Sequence, residues 1–181
     1  MFNSPFQTSQ KSNRKLRDDT KFIVVADLFA NQYQGGAELT TQAIIDSCPL
    51  KVETLKASEV TLDLLQDGHE KHWIFGNCTS IDSELIPTIV ANMEYSILEY
   101  DYKFCKYRSI EKHMQAEQTE CDCHNDMYGK MISAFFYGAK SLWWMSEKQM
   151  EIYFEKFPFL SERHNIVLSS VFDEDFFVTV K

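Results

Sequence analysis

The chain has 181 residues, 44% hydrophobic and 25% charged, a size and balance that suit one well-buried globular domain and are short for two. Its 18 Lys and Arg against 27 Asp and Glu give a net charge of −9, which argues against a general nucleic-acid or anionic-membrane binder. No window supplies the ~18 apolar residues of a membrane span.

Residues 1–20 are polar, carry Lys11, Arg14, Lys15 and Arg17, and lack the apolar core of a secretory signal. They are expected to form a flexible arm ahead of a single domain over 21–181, in a cytoplasmic protein. Phe22–Val25 is an apolar, β-branched run that reads as a buried strand. A polar loop follows, then Gly35-Gly-Ala-Glu38, and then Leu39, Ala43 and Ile44 recur at helical spacing up to Ser47. The glycines thus fall where a helix begins. The first N–H groups of a helix have no internal partner and carry the positive end of its dipole, so they attract phosphate. Gly35 and Gly36 lack Cβ atoms, which lets an anion approach and leaves positive φ open. Two glycines before a helix also serve a plain strand-to-helix turn, and the dinucleotide fingerprint and the Walker lysine are both missing.

Farther on, Val52–Leu55 reads as a second strand, and Val60 to Leu65 as a short helix ending near Gly68. His72-Trp-Ile-Phe-Gly-Asn77 is the third strand. Thr79 and Asp82 give a capping signal for a helix through Ile86, Ile89 and Val90, with Pro87 inside it and therefore a short or kinked helix. Tyr95–Tyr100 is the fourth strand. A helix over 126–137 carries Met127, Met131, Ala134 and Phe135 on one face, with Gly138 in the C′ position. Leu142–Met145 is the fifth strand. Ser146-Glu-Lys-Gln149 is a capping box, and Met150, Tyr153, Phe154 and Phe157 mark the helix that Pro158 closes. Asn165–Val171 is the sixth. Trp143, Trp144 and the aromatic residues of the last two helices read as packing residues.

Strands alternating with helices predict an α/β fold, a Rossmann-like three-layer sandwich with a mostly parallel sheet of about six strands. Ligands of such sheets bind at the carboxyl ends of the strands. Gly35–Glu38, Asn77 and the segment Tyr100–Lys103 fall on that edge.

Asp101–Asn125 interrupts the alternation and is expected to be an irregular insertion rich in Cys and His. Cys105, His113, Cys121, Cys123 and His124 offer the thiolates and imidazoles zinc prefers. Three Cys and one His, taken as Cys105, Cys121, Cys123 and His124, would complete a structural tetrahedral site. The same residues are compatible with a disulfide from Cys105 or with three free thiols. Cys48 and Cys78 stand apart as small core residues.

The strand, loop, Gly35-Gly-Ala-Glu38 and helix resemble the opening of family 4 glycosyltransferases. Trp143-Trp-Met-Ser146-Glu-Lys-Gln149 and Asn165-Ile-Val-Leu-Ser-Ser-Val171-Phe-Asp173-Glu-Asp-Phe176 resemble the end of that family's first domain. The resemblance runs in order over about residues 21–177. Ser169-Ser170 stands where the family has Asn-Gly, Phe172 is inserted before Asp173, and Tyr100 or Asp101 takes the place of a His after the fourth strand. It implies the acceptor-side half of a GT-B fold, with a second Rossmann domain supplied in cis or in trans. Sugar would pass from a nucleotide-sugar donor to a glycan or small-molecule acceptor, with no cofactor required for the chemistry. Gly35, Gly36, Ala37 and Glu38 would face the donor diphosphate, and Asp101 or Tyr100 the acceptor hydroxyl. Lys103 and Arg108, with Lys106 in the same basic run, would meet a phosphate or an anionic acceptor. Plain readings stand beside these: a helix-start charge for Glu38, a turn residue for Asp101 and a solvated face for the basic run. The rival function is a non-catalytic Rossmann-like module, zinc-stabilised, for a phosphorylated ligand or protein partner. A face left by the missing domain would expose Phe172, Phe176 and Phe177.

Overall fold

Buried β-branched and aromatic runs separated by amphipathic segments assemble into a single all-parallel sheet in the computed structural model, which describes residues 14–171. The strands are β1 (Phe22–Ala26), β2 (Val52–Lys56), β3 (His72–Phe75), β4 (Glu94–Glu99), β5 (Ser141–Trp144) and β6 (Asn165–Val167). They lie in the order β2-β1-β3-β4-β5-β6, each paired in parallel with its neighbour. The helices are α1 (Gly36–Ser47), α2 (Leu62–Asp67), α3 (Ile86–Asn92), α4 (Ile110–Glu117), α5 (Met127–Gly138) and α6 (Glu147–Lys156). None of these is long and apolar enough to cross a membrane.

The connection from β1 to β2 runs one way across the sheet and every later connection runs the other way. Right-handed crossovers therefore put α1 on one face and the later helices on the opposite face. Side-chain alternation along the strands serves both layers. Val24, Ala26, Ile74 and Leu98 point to the α1 side, where Ile44 and Ile45 pack. Ile23, Val25, Trp73, Phe75, Tyr95, Ile97, Leu142 and Trp144 build the larger core with Leu64, Ile89, Phe135, Phe136 and Tyr153. This is the three-layer, Rossmann-like arrangement that the sequence predicts. Trp144 and Phe136 bracket Tyr153 at ring-centroid distances of 4.8 and 5.0 Å, whereas Trp143 turns to the α1 side and is half-buried. Direction reverses between β1 and β3, so the ligand crevice of such a sheet is expected above those two strands.

Several local expectations are corrected. Residues 14–20 are part of the domain and not an arm: Leu16 is buried, its N–H donates to Asp67, and the Arg17 N–H donates to Glu53. Residues 1–13, and Phe172, Asp173, Phe176 and Phe177, lie outside the described residues. Pro87 sits in the first turn of α3 and not inside it, behind a short 3-10 turn capped by Asp82. A proline there gives up no intrahelical hydrogen bond. Gly138 is the last residue of α5 and has no positive φ; it is glycine because a Cβ would lie 2.5 Å from the Tyr95 hydroxyl. The sixth strand pairs only over Asn165–Val167, and Ser169 turns the chain at φ 62°. The insertion at 101–125 is less irregular than expected, because α4 occupies its centre.

Candidate metal centre and sheet-edge site

Between β4 and α5 the chain makes a tight loop, a two-turn helix and a return. The Cys105 N–H donates to the Tyr102 carbonyl at 2.8 Å, and the Arg108 N–H to the Cys105 carbonyl at 2.9 Å. Ser109 then caps α4, its hydroxyl accepting from the Lys112 N–H. The helix carries His113 inward, and Gln118, at φ 57°, turns the chain back toward Cys121 and Cys123. Cys105, His113, Cys121 and Cys123 are all buried, and their ligand atoms lie within 4.8 Å of one another. His113 Nδ1 is 3.4 Å from Cys123 Sγ and 3.8 Å from Cys105 Sγ. A tetrahedral zinc bound at ordinary Zn–N and Zn–S lengths separates its nitrogen and sulfur ligands by about 3.6 Å, so this group has the spacing of a metal site. All five cysteines are free, and no disulfide is made from Cys105.

The electrostatics also favour a cation. Burial pushes the Cys121 thiol up to about 12, against a hydrogen bond from the Cys123 main chain and with the neighbouring Cys105 thiol adding to it. A divalent ion bound among the three sulfurs would supply the counter-charge that thiolate ligands need in this buried place.

His124, expected as the fourth ligand, is not in the group. It follows Cys123 directly in the 3-10 turn Cys123–Asn125, where adjacent side chains diverge. Its ring meets Phe157 edge-on at 6.1 Å, and its buried Nδ1 has no hydrogen-bond partner. Burial, with Lys156 nearby, lowers its pKa. His113 fills the place because one helical turn after Ser109 lifts it over the cysteines. Gly129 locks the assembly from the other side: a Cβ there would stand 2.0 Å from the Cys123 carbonyl oxygen, so the first turn of α5 presses directly on the ligand-bearing turn.

No known protein family matches the chain, and no curated protein does.

Along the carboxyl edge of the sheet, Gly35 is the N-cap of α1 and Gly36 its first residue, and neither has positive φ. Gly35 is close-packed, its Cβ position lying 2.5 Å from Glu38 Oε2, while the same position at Gly36 opens onto space. The buried Glu38 carboxylate therefore folds back over the helix start, where it favours the dipole. The open side of the helix start is therefore at Gly36, beside that carboxylate. Tyr100 reaches across to α1, its hydroxyl 2.6 Å from Thr41 Oγ1, and burial raises its pKa.

Asn77, Asp101 and Arg108 come together. Arg108 donates to Asp101 Oδ1 at 2.8 Å and to Asn77 Oδ1 at 3.1 Å, from a backbone at φ 55°. Lys103 does not join them. Its side chain is buried and pairs with Glu99, whose Oε1 accepts from the Tyr153 hydroxyl at 2.8 Å and from the Lys103 N–H at 3.0 Å. Burial raises the Glu99 pKa against the pull of Lys103, and raises that of Tyr153 strongly. The basic run is thus not one solvated face: Lys106 pairs with Glu117 in solvent, Arg108 serves the edge and Lys103 is internal.

Sequence reasoning passed over Asp27. It follows β1, and its carboxylate accepts from the N–H groups of Thr79 and Ser80 at 2.7 and 2.9 Å and from the Thr79 hydroxyl. Burial works to raise its pKa, but the Thr79 and Ser80 hydrogen bonds outweigh burial and hold it below the ordinary value. An acidic residue ending an apolar strand was the available signal. Thr79, read as a helix cap, is used here instead.

Proposed function

We propose that the chain is the acceptor-side Rossmann-like half of a GT-B-type glycosyltransferase, acting with a second nucleotide-binding domain in cis or in trans. Cys105, Cys121, Cys123 and His113 hold a structural zinc. The observation that carries this reading is the gathering of the Gly35–Gly36 helix start, Tyr100 and the Asp101–Arg108 pair along the carboxyl edge of one parallel sheet. In sugar transfer the leaving diphosphate gains negative charge. The N–H groups of Gly36 and Ala37, already oriented by α1, stabilise it without reorganising. Asp101, held in place by Arg108, orients the acceptor hydroxyl. Tyr100 shapes the crevice, since its hydroxyl is engaged by Thr41 and its pKa is raised. The zinc has a structural role, because four protein ligands fill its tetrahedron and leave no open position for substrate.

Two measurements test the reading. Metal analysis of protein purified without chelator should find about one zinc per chain, lost when Cys121 and Cys123 are both replaced by Ser. A nucleoside diphosphate titrated against the ¹⁵N-labelled chain should shift amides at 34–40 with about millimolar affinity, as a half-site does. Gly36→Val should abolish those shifts while leaving the rest of the spectrum intact, because its Cβ position is open. Shifts elsewhere only, or equal binding by the variant, would reduce the glycine pair to a turn.

A further inference from the structure

Below the sheet edge, on the face away from α1, lies a cavity of about 230 Å³. Cys78 and Thr79 line it from the end of β3, Lys103 and Arg108 from the loop after β4, and Tyr128 and Phe135 from α5. It is smaller than the pockets of about 300 Å³ and above that enclose a nucleotide-sized ligand. Two cationic side chains line it. An ammonium carries three N–H donors, and among the described residues Lys103 Nζ has one acceptor, Glu99. The other oxygen of Glu99 is taken by the Tyr153 hydroxyl and the Lys103 main chain. Arg108 adds a second cation with N–H groups beyond those given to Asp101 and Asn77. Among the described residues no carboxylate lines the cavity, and Glu99 and Asp101 are the partners of the two cations. Lys103 and Arg108 both line this one space; burial raises the pKa of the Cys78 thiol and of the Tyr128 hydroxyl beside it, and the two cations and the Glu99 carboxylate all act on both groups.

Both walls are fastened to the cysteine–histidine group. Cys105 lies between the two cations in sequence, and its carbonyl accepts from the Arg108 N–H. The α5 wall is pinned at Gly129, next to Tyr128, against the Cys123 carbonyl. We propose that this cavity is an oxyanion site, for the phosphate or carboxylate group of a small molecule bound by Lys103 and Arg108, and that metal in the adjoining group locks it into shape. The second half of the proposal rests on the zinc reading above.

The test titrates inorganic phosphate, and separately acetate, into the full chain after its metal content has been measured, following amide shifts. Saturable shifts at 78–83, 103–109 and 128–132 are expected, and the stronger of the two probes identifies the headgroup. Arg108→Gln should weaken binding about tenfold, the scale of one charge-assisted hydrogen bond. The double variant Lys103→Met, Glu99→Gln, which removes both buried charges together and so leaves neither unpaired, should weaken it at least as much. Stripping the metal should also weaken it. Metal-loaded protein with no saturable shifts at these residues overturns the oxyanion site while leaving the zinc reading intact. Phosphate binding that is equally tight without metal overturns the metal's part. A chain that carries no metal overturns the zinc reading instead, and its phosphate titration still decides the cavity.

Discussion

Replacing Gly129 with Ala drives a methyl group into the backbone of the metal-binding turn. The added carbon would lie 2.0 Å from the Cys123 carbonyl oxygen and 2.7 Å from the His124 Cα. A tolerable carbon–oxygen contact is about 3.3 Å, so α5 has to withdraw by about 1 Å, and no rotamer change relieves it because both obstacles are main chain. Withdrawal strains the helix cap, in which the Gly129 N–H donates to Asp126 Oδ1 at 2.7 Å. Overpacking of this kind costs about 1–3 kcal/mol, a weakened cap adds up to about 1 kcal/mol, and the better helix propensity of Ala returns about as much as the cap loses. The net expectation is a loss of about 2 kcal/mol, or about 4–8 °C in Tm for a chain of this size. Cys123 moves with its turn, so zinc affinity measured by chelator competition should fall about tenfold or more. Gly36→Ala is the matched control, because its Cβ meets nothing at the first position of α1. It should leave Tm unchanged or slightly raised, and zinc affinity unchanged. Equal Tm and equal zinc affinity for Gly129→Ala and wild type would refute the claim that α5 braces the site.

Tyr153→Phe removes a buried hydroxyl that donates to Glu99 and accepts from the Lys103 N–H. A hydrogen bond to a buried charge contributes about 2 kcal/mol, and urea unfolding should show that loss with an unchanged m-value; a loss below about 0.5 kcal/mol would mean the network is slack. Asp27 has a lowered folded pKa, so its hydrogen bonds stabilise the protein above the unfolded value of about 3.9 and are lost as pH falls through the folded one. Asp27→Asn should therefore be less stable than wild type near neutrality, with the gap closing below about pH 4; a gap independent of pH would deny the role of the charge.

The sheet was legible because its strands are buried on both faces, so Phe22–Ala26, His72–Phe75 and Ser141–Trp144 stand out as apolar runs between turn signals. Capping was legible at Ser146, whose hydroxyl accepts from the Gln149 N–H, although the Gln149 side chain takes its own bond from Met145 and not from the cap residue. The helix α4 was not, since eight residues with a polar composition show no period. Missing it turned the choice of the fourth ligand from His113 to His124, because only a helix lifts the His113 imidazole over the cysteines and His124 stands nearer to two of them in the chain. Lys103 could not be read as internal either. Its partner is Glu99, four residues earlier in a strand end and loop rather than a helix, and no local pattern announces such a pair. The reasons for Gly129 and Gly138 lie in contacts with Cys123 and Tyr95, invisible along one dimension.

The strand order also bears on how the chain is made. β2, β1 and β3 together need only the residues up to Phe75, and β4, β5 and β6 then join one after another at the same side. As the chain leaves the ribosome, each new strand therefore meets a template already in place, and no later segment has to thread between earlier ones. The cost is that the growing edge is open at every stage; among the described residues it ends on β6, where Ile166 and Val167 are exposed. Synthesis in one direction and vulnerability at one border are two aspects of the same topology.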